Sequence, residues 1–175
     1  ASLLACESAP GTAQLSVMEQ QTIPEVRVLK TAEAALPLLL QEVRSVVGRV
    51  GDGDQGGEPT ARPLISFATG GTFTAFFRAL DAEMQQGSFG ANDFIGTHLD
   101  EFMKFEPTRP GGMVHELLLR CPALRDMLAR GSFLPVPCHG AEGSQRAHEE
   151  RLERAGGVKL QFLGIGRNGH VAFNE

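Results

Sequence analysis

The period of apolar and polar positions changes several times along this chain. Residues 26–29 alternate, with Val26 and Val28 apolar, which predicts a short first strand. Residues 32–50 place Leu36, Leu39, Leu40, Val43 and Val47 at helical spacing, with Thr31 as N-cap and Pro37 tolerable in the first turns. Residues 51–62 are a glycine-rich polar loop. An apolar run at 64–68 reads as a buried strand, followed by a turn at 69–72 and a helix over 73–86. Further strands are predicted at 93–99, 133–136 and 158–163. Helices are predicted at 113–129, interrupted near Pro122, and at 144–155, closed by Gly156 and Gly157. Strands alternating with helices imply an α/β fold: an open, Rossmann-like parallel sheet with helices on both faces. In such sheets ligands sit at the carboxyl ends of the strands.

Residues 1–24 are small and polar without clear period and read as an N-terminal extension or mobile arm, leaving 25–175 as the domain. At 175 residues the chain is long enough for one hydrophobic core. A net charge of −5 gives no electrostatic reason to expect nucleic acid or an anionic membrane as partner. No stretch approaches the ~20 apolar residues of a membrane span. Cys6, Cys121 and Cys138 are odd in number and lack metal-ligand spacing, which favours reduced thiols in a cytoplasmic protein. Leu3-Leu4-Ala5-Cys6 is only a faint likeness of a lipoprotein cleavage site.

Three segments with candidate chemistry fall at strand ends. Thr69-Gly70-Gly71-Thr72 opens a helix, where free N–H groups and the helix dipole favour an anion such as phosphate. Without a ligand, the same residues would simply make a tight turn. Asp100 ends a strand beside Glu101, and a carboxylate there can take a proton from carbon next to a carbonyl. Alternation would point His98 and Asp100 to one side, so a metal on His98, Asp100 and His170 is conceivable, although no recognised spacing supports it. The third segment, residues 163–175, places His170 and Glu175 on a glycine-rich loop, with the imidazole able to act as acid or base. Its Gly164-x-Gly166-x-x-Gly169 pattern matches a dinucleotide fingerprint but is not followed by a helix-forming sequence.

Together these segments resemble the glucosamine-6-phosphate deaminase/isomerase family. The likeness runs through Ala68-Thr69-Gly70-Gly71-Thr72, then Thr97-His98-Leu99-Asp100-Glu101-Phe102, loosely through 110–118, and almost residue for residue through 163–175. Phe102 stands where the family usually has Tyr, and Asn168 where many members have Asp. The resemblance implies that Asp100 moves a proton between C1 and C2 of the open-chain sugar. It implies that His170 assists ring opening, held and tuned by Asn168 and Glu175. Thr69, Gly70, Gly71, Thr72 and Gly166 would line the phosphate and substrate site. Glucosamine 6-phosphate and water would yield fructose 6-phosphate and ammonia, with no cofactor and no metal. Relative to the family, the chain stops before a mobile lid and the last strands and helices. The expected partner is a small sugar phosphate, with neither nucleic acid nor membrane, and a homo-oligomer is compatible with the sequence. Two alternatives remain: a 6-phosphogluconolactonase-like enzyme, or a non-catalytic sugar-phosphate sensor or inactive truncated product. The sequence 172–175 after the histidine favours the deaminase.

Overall fold

The computed structural model describes residues 26–51 and 62–173. The expected extension at 1–24, nearly all of the loop at 51–62, and Glu175 lie outside the described residues. Four strands form one parallel sheet: β1 (Leu64–Phe67), β2 (Ile95–His98), β3 (Phe133–Leu134) and β4 (Val158–Gln161). Their spatial order is β3-β2-β1-β4. The helices are α1 (Leu36–Gly51), α2 (Thr74–Gln85), α3 (Met113–Arg120), α4 (Ala123–Ala129) and α5 (Ser144–Arg154). The chain therefore leaves β1 toward β2 and β3 and returns to the other side of β1 for β4. That reversal creates a switch point between the carboxyl ends of β1 and β4, where loops diverge and leave a crevice.

Alternation along β1 separates the two faces. Ile65 and Phe67 enter the main core with Leu40 and Val43 of α1, Phe76, Phe77 and Leu80 of α2, Leu117 of α3, and Leu124 and Met127 of α4. On the opposite face Ser66, Thr97 and Gln161 line a groove with Gln145, His148, Glu149 and Leu152 of α5. Helices thus cover both faces, as expected, but unequally. The core is aromatic where it supports the switch point. Phe162 stacks on Phe67 at 5.8 Å between ring centres and packs on Phe76 at 4.8 Å. The Phe162 N–H donates to the Ser66 carbonyl, extending the β1–β4 ladder past β4.

Local signals explain most boundaries. Thr31 accepts from the Ala34 N–H through its hydroxyl and opens a short 3-10 turn (Glu33–Ala35), and Pro37 falls in the first turn of α1. Pro122 separates α3 from α4, and the Asp81 carboxylate of α2 accepts from the Ala123 N–H to cap α4. The Gly157 N–H returns to the Leu152 carbonyl and ends α5.

One expectation is corrected. Residues 26–29 form no strand: Val28 is 92% exposed, and no described strand lies beside the segment to pair with it. The strand predicted at 158–163 forms over its first four residues, as β4. β4 pairs only with β1 among the described residues, and Val158, Lys159 and Gln161 are exposed.

Candidate active site

The segment following β1 carries Thr69, Gly70, Gly71 and Thr72. Gly70 is extended and precedes a 3-10 turn (Gly71–Phe73) that runs directly into α2. The first N–H groups of such a start have no intrahelical acceptor, so they face the crevice as donors. Both glycines have open space beside their Cα atoms, which lets a ligand approach the backbone. Arg120 of α3 fixes the turn from behind, its Nη1 donating to the Thr69 carbonyl at 2.8 Å.

After β2, Asp100 and Glu101 take different roles. Glu101 accepts from the N–H groups of Met113 and Val114, both at 3.0 Å, and of Phe102 at 2.8 Å. It is the cap of α3, the carboxylate sitting where the helix dipole favours negative charge. Asp100 is partly buried and lines the cleft. Burial raises its pKa above the ordinary carboxylate value, Glu101 adds to the rise, and His170 opposes it.

The loop after β4 wraps around His170. The Gly166 N–H donates to the His170 carbonyl and the Gly169 N–H to the Gly166 carbonyl, both in a tight turn. Gly169 holds φ at +86°, a conformation most side chains resist. The imidazole lies so close to Gly166 that a Cβ there would collide with the ring. The Asn168 side-chain oxygen is a hydrogen-bond partner of His170 Nδ1. An amide oxygen only accepts, so this contact is a hydrogen bond when Nδ1 carries the proton, the tautomer that leaves Nε2 as the base of the neutral ring. Phe173 packs on Phe102 at 5.1 Å between ring centres, tying this loop to the segment after β2.

These three segments line one cleft of about 530 Å³. Of the residues singled out in the sequence, Thr69, Gly70, Gly71, Thr72, Asp100, Gly166 and His170 all face it. Asn168 reaches it through His170, and Glu175 lies outside the described residues. His98 does not join them. β2 ends at His98, so strand alternation does not carry through to Asp100. The His98 ring instead stacks on Phe133, and its Nε2 accepts from the Val136 N–H at 2.9 Å. The conceivable metal set of His98, Asp100 and His170 is therefore not assembled. The segment after Gly164 remains non-helical to residue 173, which also removes the dinucleotide reading. Sequence reasoning missed the roles of Met113, Ile165, Arg167 and Phe173 in the lining, of Glu101 as cap, and of Arg120 as brace. Ile165 and Arg167 carried a signal, their place inside the glycine-rich loop.

No protein-family model matches the chain. A glucosamine-6-phosphate deaminase of Hahella chejuensis is 31% identical over 112 residues, covering 64% of this chain and 43% of that protein. The Streptomyces avermitilis glucosamine-6-phosphate deaminase is 30% identical over 154 residues, covering 86% of this chain and 54% of its own length. The chain thus spans about half the length of the curated relatives it matches. Among solved structures, a monomeric glucosamine-6-phosphate deaminase aligns with TM-score 0.63 at 20% identity, covering 82% of this chain and 56% of that one. The 6-phosphogluconolactonase of Thermotoga maritima aligns with TM-score 0.58 at 14% identity, covering 80% and 60%. These structural likenesses show the fold. The sequence matches bear out the resemblance read from the motifs.

Proposed function

We propose that this chain, a relative of the glucosamine-6-phosphate deaminases, carries the catalytic half-site of a cytoplasmic enzyme that turns glucosamine 6-phosphate and water into fructose 6-phosphate and ammonia. The observation that carries the reading is the meeting of Asp100, His170 and the turn Thr69-Gly70-Gly71-Thr72 at the switch point of the sheet. Helix-start N–H groups and the Thr72 hydroxyl suit the phosphate, with Arg167 as a cation on the same cleft. The lone pair on His170 Nε2 can take the proton from the anomeric hydroxyl and return it to the ring oxygen, which opens the pyranose. Asp100 then removes the proton from C2 of the open-chain sugar while the substrate's own ammonium gives a proton to O1, so the product is an enolamine with a hydroxyl on C1. Return of that proton to C1 leaves an imine at C2. Addition of water to the imine expels ammonia and leaves the ketone. Glu175 is assigned to orient or charge His170 by its place in the motif.

A carboxylate whose pKa is raised by burial is a stronger base than an exposed one, once ionised, and so suits carbon acid chemistry. The deciding measurement is ammonia release from glucosamine 6-phosphate by this chain, beside the same chain joined to the remaining part of the Streptomyces avermitilis relative it aligns with. Release by either supports the deaminase. Silence in both, with ligand-induced stabilisation, supports a sugar-phosphate sensor instead. Hydrolysis of 6-phosphogluconolactone without ammonia release from the amino sugar would move the assignment to the lactonase.

A further inference from the structure

Outside the cleft, three metal-ligating side chains of different kinds converge. His139 Nδ1 lies 3.1 Å from Glu106 Oε1 and 4.0 Å from the Cys138 sulfur. The three donor atoms all fall within 4.8 Å of one another. Glu106 belongs to the segment after β2, whereas Cys138 and His139 belong to the loop after β3. An exposed Glu–His contact is ordinary, but a buried thiol aimed at the same imidazole nitrogen is not explained by a surface ion pair. We propose that Glu106, Cys138 and His139 form a zinc site, with water in the fourth position.

Zinc takes thiolate, imidazole and carboxylate ligands at roughly 2.0–2.3 Å, which sets tetrahedral ligand atoms roughly 3.2–3.8 Å apart. The 3.1 Å and 4.0 Å separations straddle that spacing and the third donor pair lies within 4.8 Å, so side-chain rotations of roughly an ångström bring all three ligands to the ion. A mixed sulfur, nitrogen and oxygen set suits zinc better than magnesium or calcium, which prefer oxygen alone. The backbone already holds the two segments together: the Lys104 N–H donates to the Cys138 carbonyl at 2.6 Å. A free cysteine is mostly thiol at neutral pH, its ordinary pKa being about 8.5. A bound dication reverses that balance, so binding forms one Zn–S bond and releases the thiol proton to water. The ion would pin the segment carrying Phe102, which packs on the loop of His170, without touching the cleft chemistry.

The test uses tag-free chain stripped with chelator, titrated with Zn2+ against a chromophoric competitor and separately with Co2+. One equivalent of Zn2+ should bind and raise the Tm, and Co2+ should give a near-ultraviolet sulfur-to-cobalt band. Cys138→Ser should abolish the band. Glu106→Gln and His139→Ala, both at exposed positions that do not threaten folding, should each weaken Zn2+ by at least the ~10–100-fold seen on losing an outer-shell partner. Absence of stoichiometric binding overturns the site. So does affinity unchanged in Glu106→Gln and His139→Ala, or a cobalt band that survives Cys138→Ser.

Discussion

His170 is shaped by two small neighbours, and both make demands that a larger residue would violate. Gly166 leaves room for the imidazole, and Asn168 can accept a hydrogen bond from Nδ1–H in the tautomer that leaves Nε2 as the base. Gly166→Ala should displace the ring and lower kcat by about 10²-fold, the scale expected for an ångström of misplacement. Activity retained in that variant would show that the observed ring position is not the working one. Asp100→Asn removes the base while keeping shape, so turnover should fall by about 10²–10⁴-fold with sugar-phosphate binding preserved in calorimetry. Because burial raises the Asp100 pKa, the acid limb of kcat/KM should lie above the ordinary carboxylate value of about 3.9. Falling pH protonates the base and turns activity off. A limb at or below that value would count against Asp100 as the proton acceptor.

Among the elements, α3 depends on a residue outside itself. Glu101 supplies the acceptors for the first N–H groups of this helix, and the helix in turn presents Met113 to the cleft and Arg120 to Thr69. Glu101→Ala should cost about 1–2 kcal/mol of stability in denaturant unfolding. It should also weaken phosphate binding, since the brace on Thr69 loosens. Loss of stability without loss of affinity would separate the cap from the phosphate turn. Phe162 plays a similar part for the last loop, anchoring its start in the aromatic core at 6% exposure. Phe162→Ala should destabilise the chain by about 3–5 kcal/mol.

For the molecule as a whole, the sheet separates two histidines of opposite character. His170 is partly exposed at the cleft, whereas His98 is 3% exposed and its pKa is driven down to about 4 by burial. His148, facing the same groove, is lowered by burial and by Arg151. In the unfolded chain these imidazoles take protons near pH 6.5, at a higher pH than the folded ones do. Stability should therefore decline as pH drops from about 6.5 to about 4, with His98 accounting for on the order of 3 kcal/mol. His98→Gln keeps an acceptor for the Val136 N–H but does not titrate, so its stability curve should be flatter over that window. An unchanged slope would assign the acid sensitivity elsewhere.

Much of this architecture is written in neighbouring residues. Periodicity located the four sheet strands and the five helices because 2.0 and 3.6 are local geometries, and Pro122 and Gly157 act on the backbone at their own positions. The three site segments were legible for the same reason, each being a short motif beside a strand end. The segment at 26–29 misled because alternation reports a pattern, whereas a strand also needs a partner. Which residues meet across the fold had no local signature. Arg120 lies 51 positions from Thr69, and Glu101 lies 12 and 13 from the N–H groups it caps. The parting of His98 from Asp100, two residues apart, was decided by where β2 stops pairing. The meeting of Glu106 with Cys138 and His139 was decided by how two strand-end loops lie side by side. Hydrogen bonds and desolvation act between groups close in space, and chain order specifies that closeness only through the finished sheet.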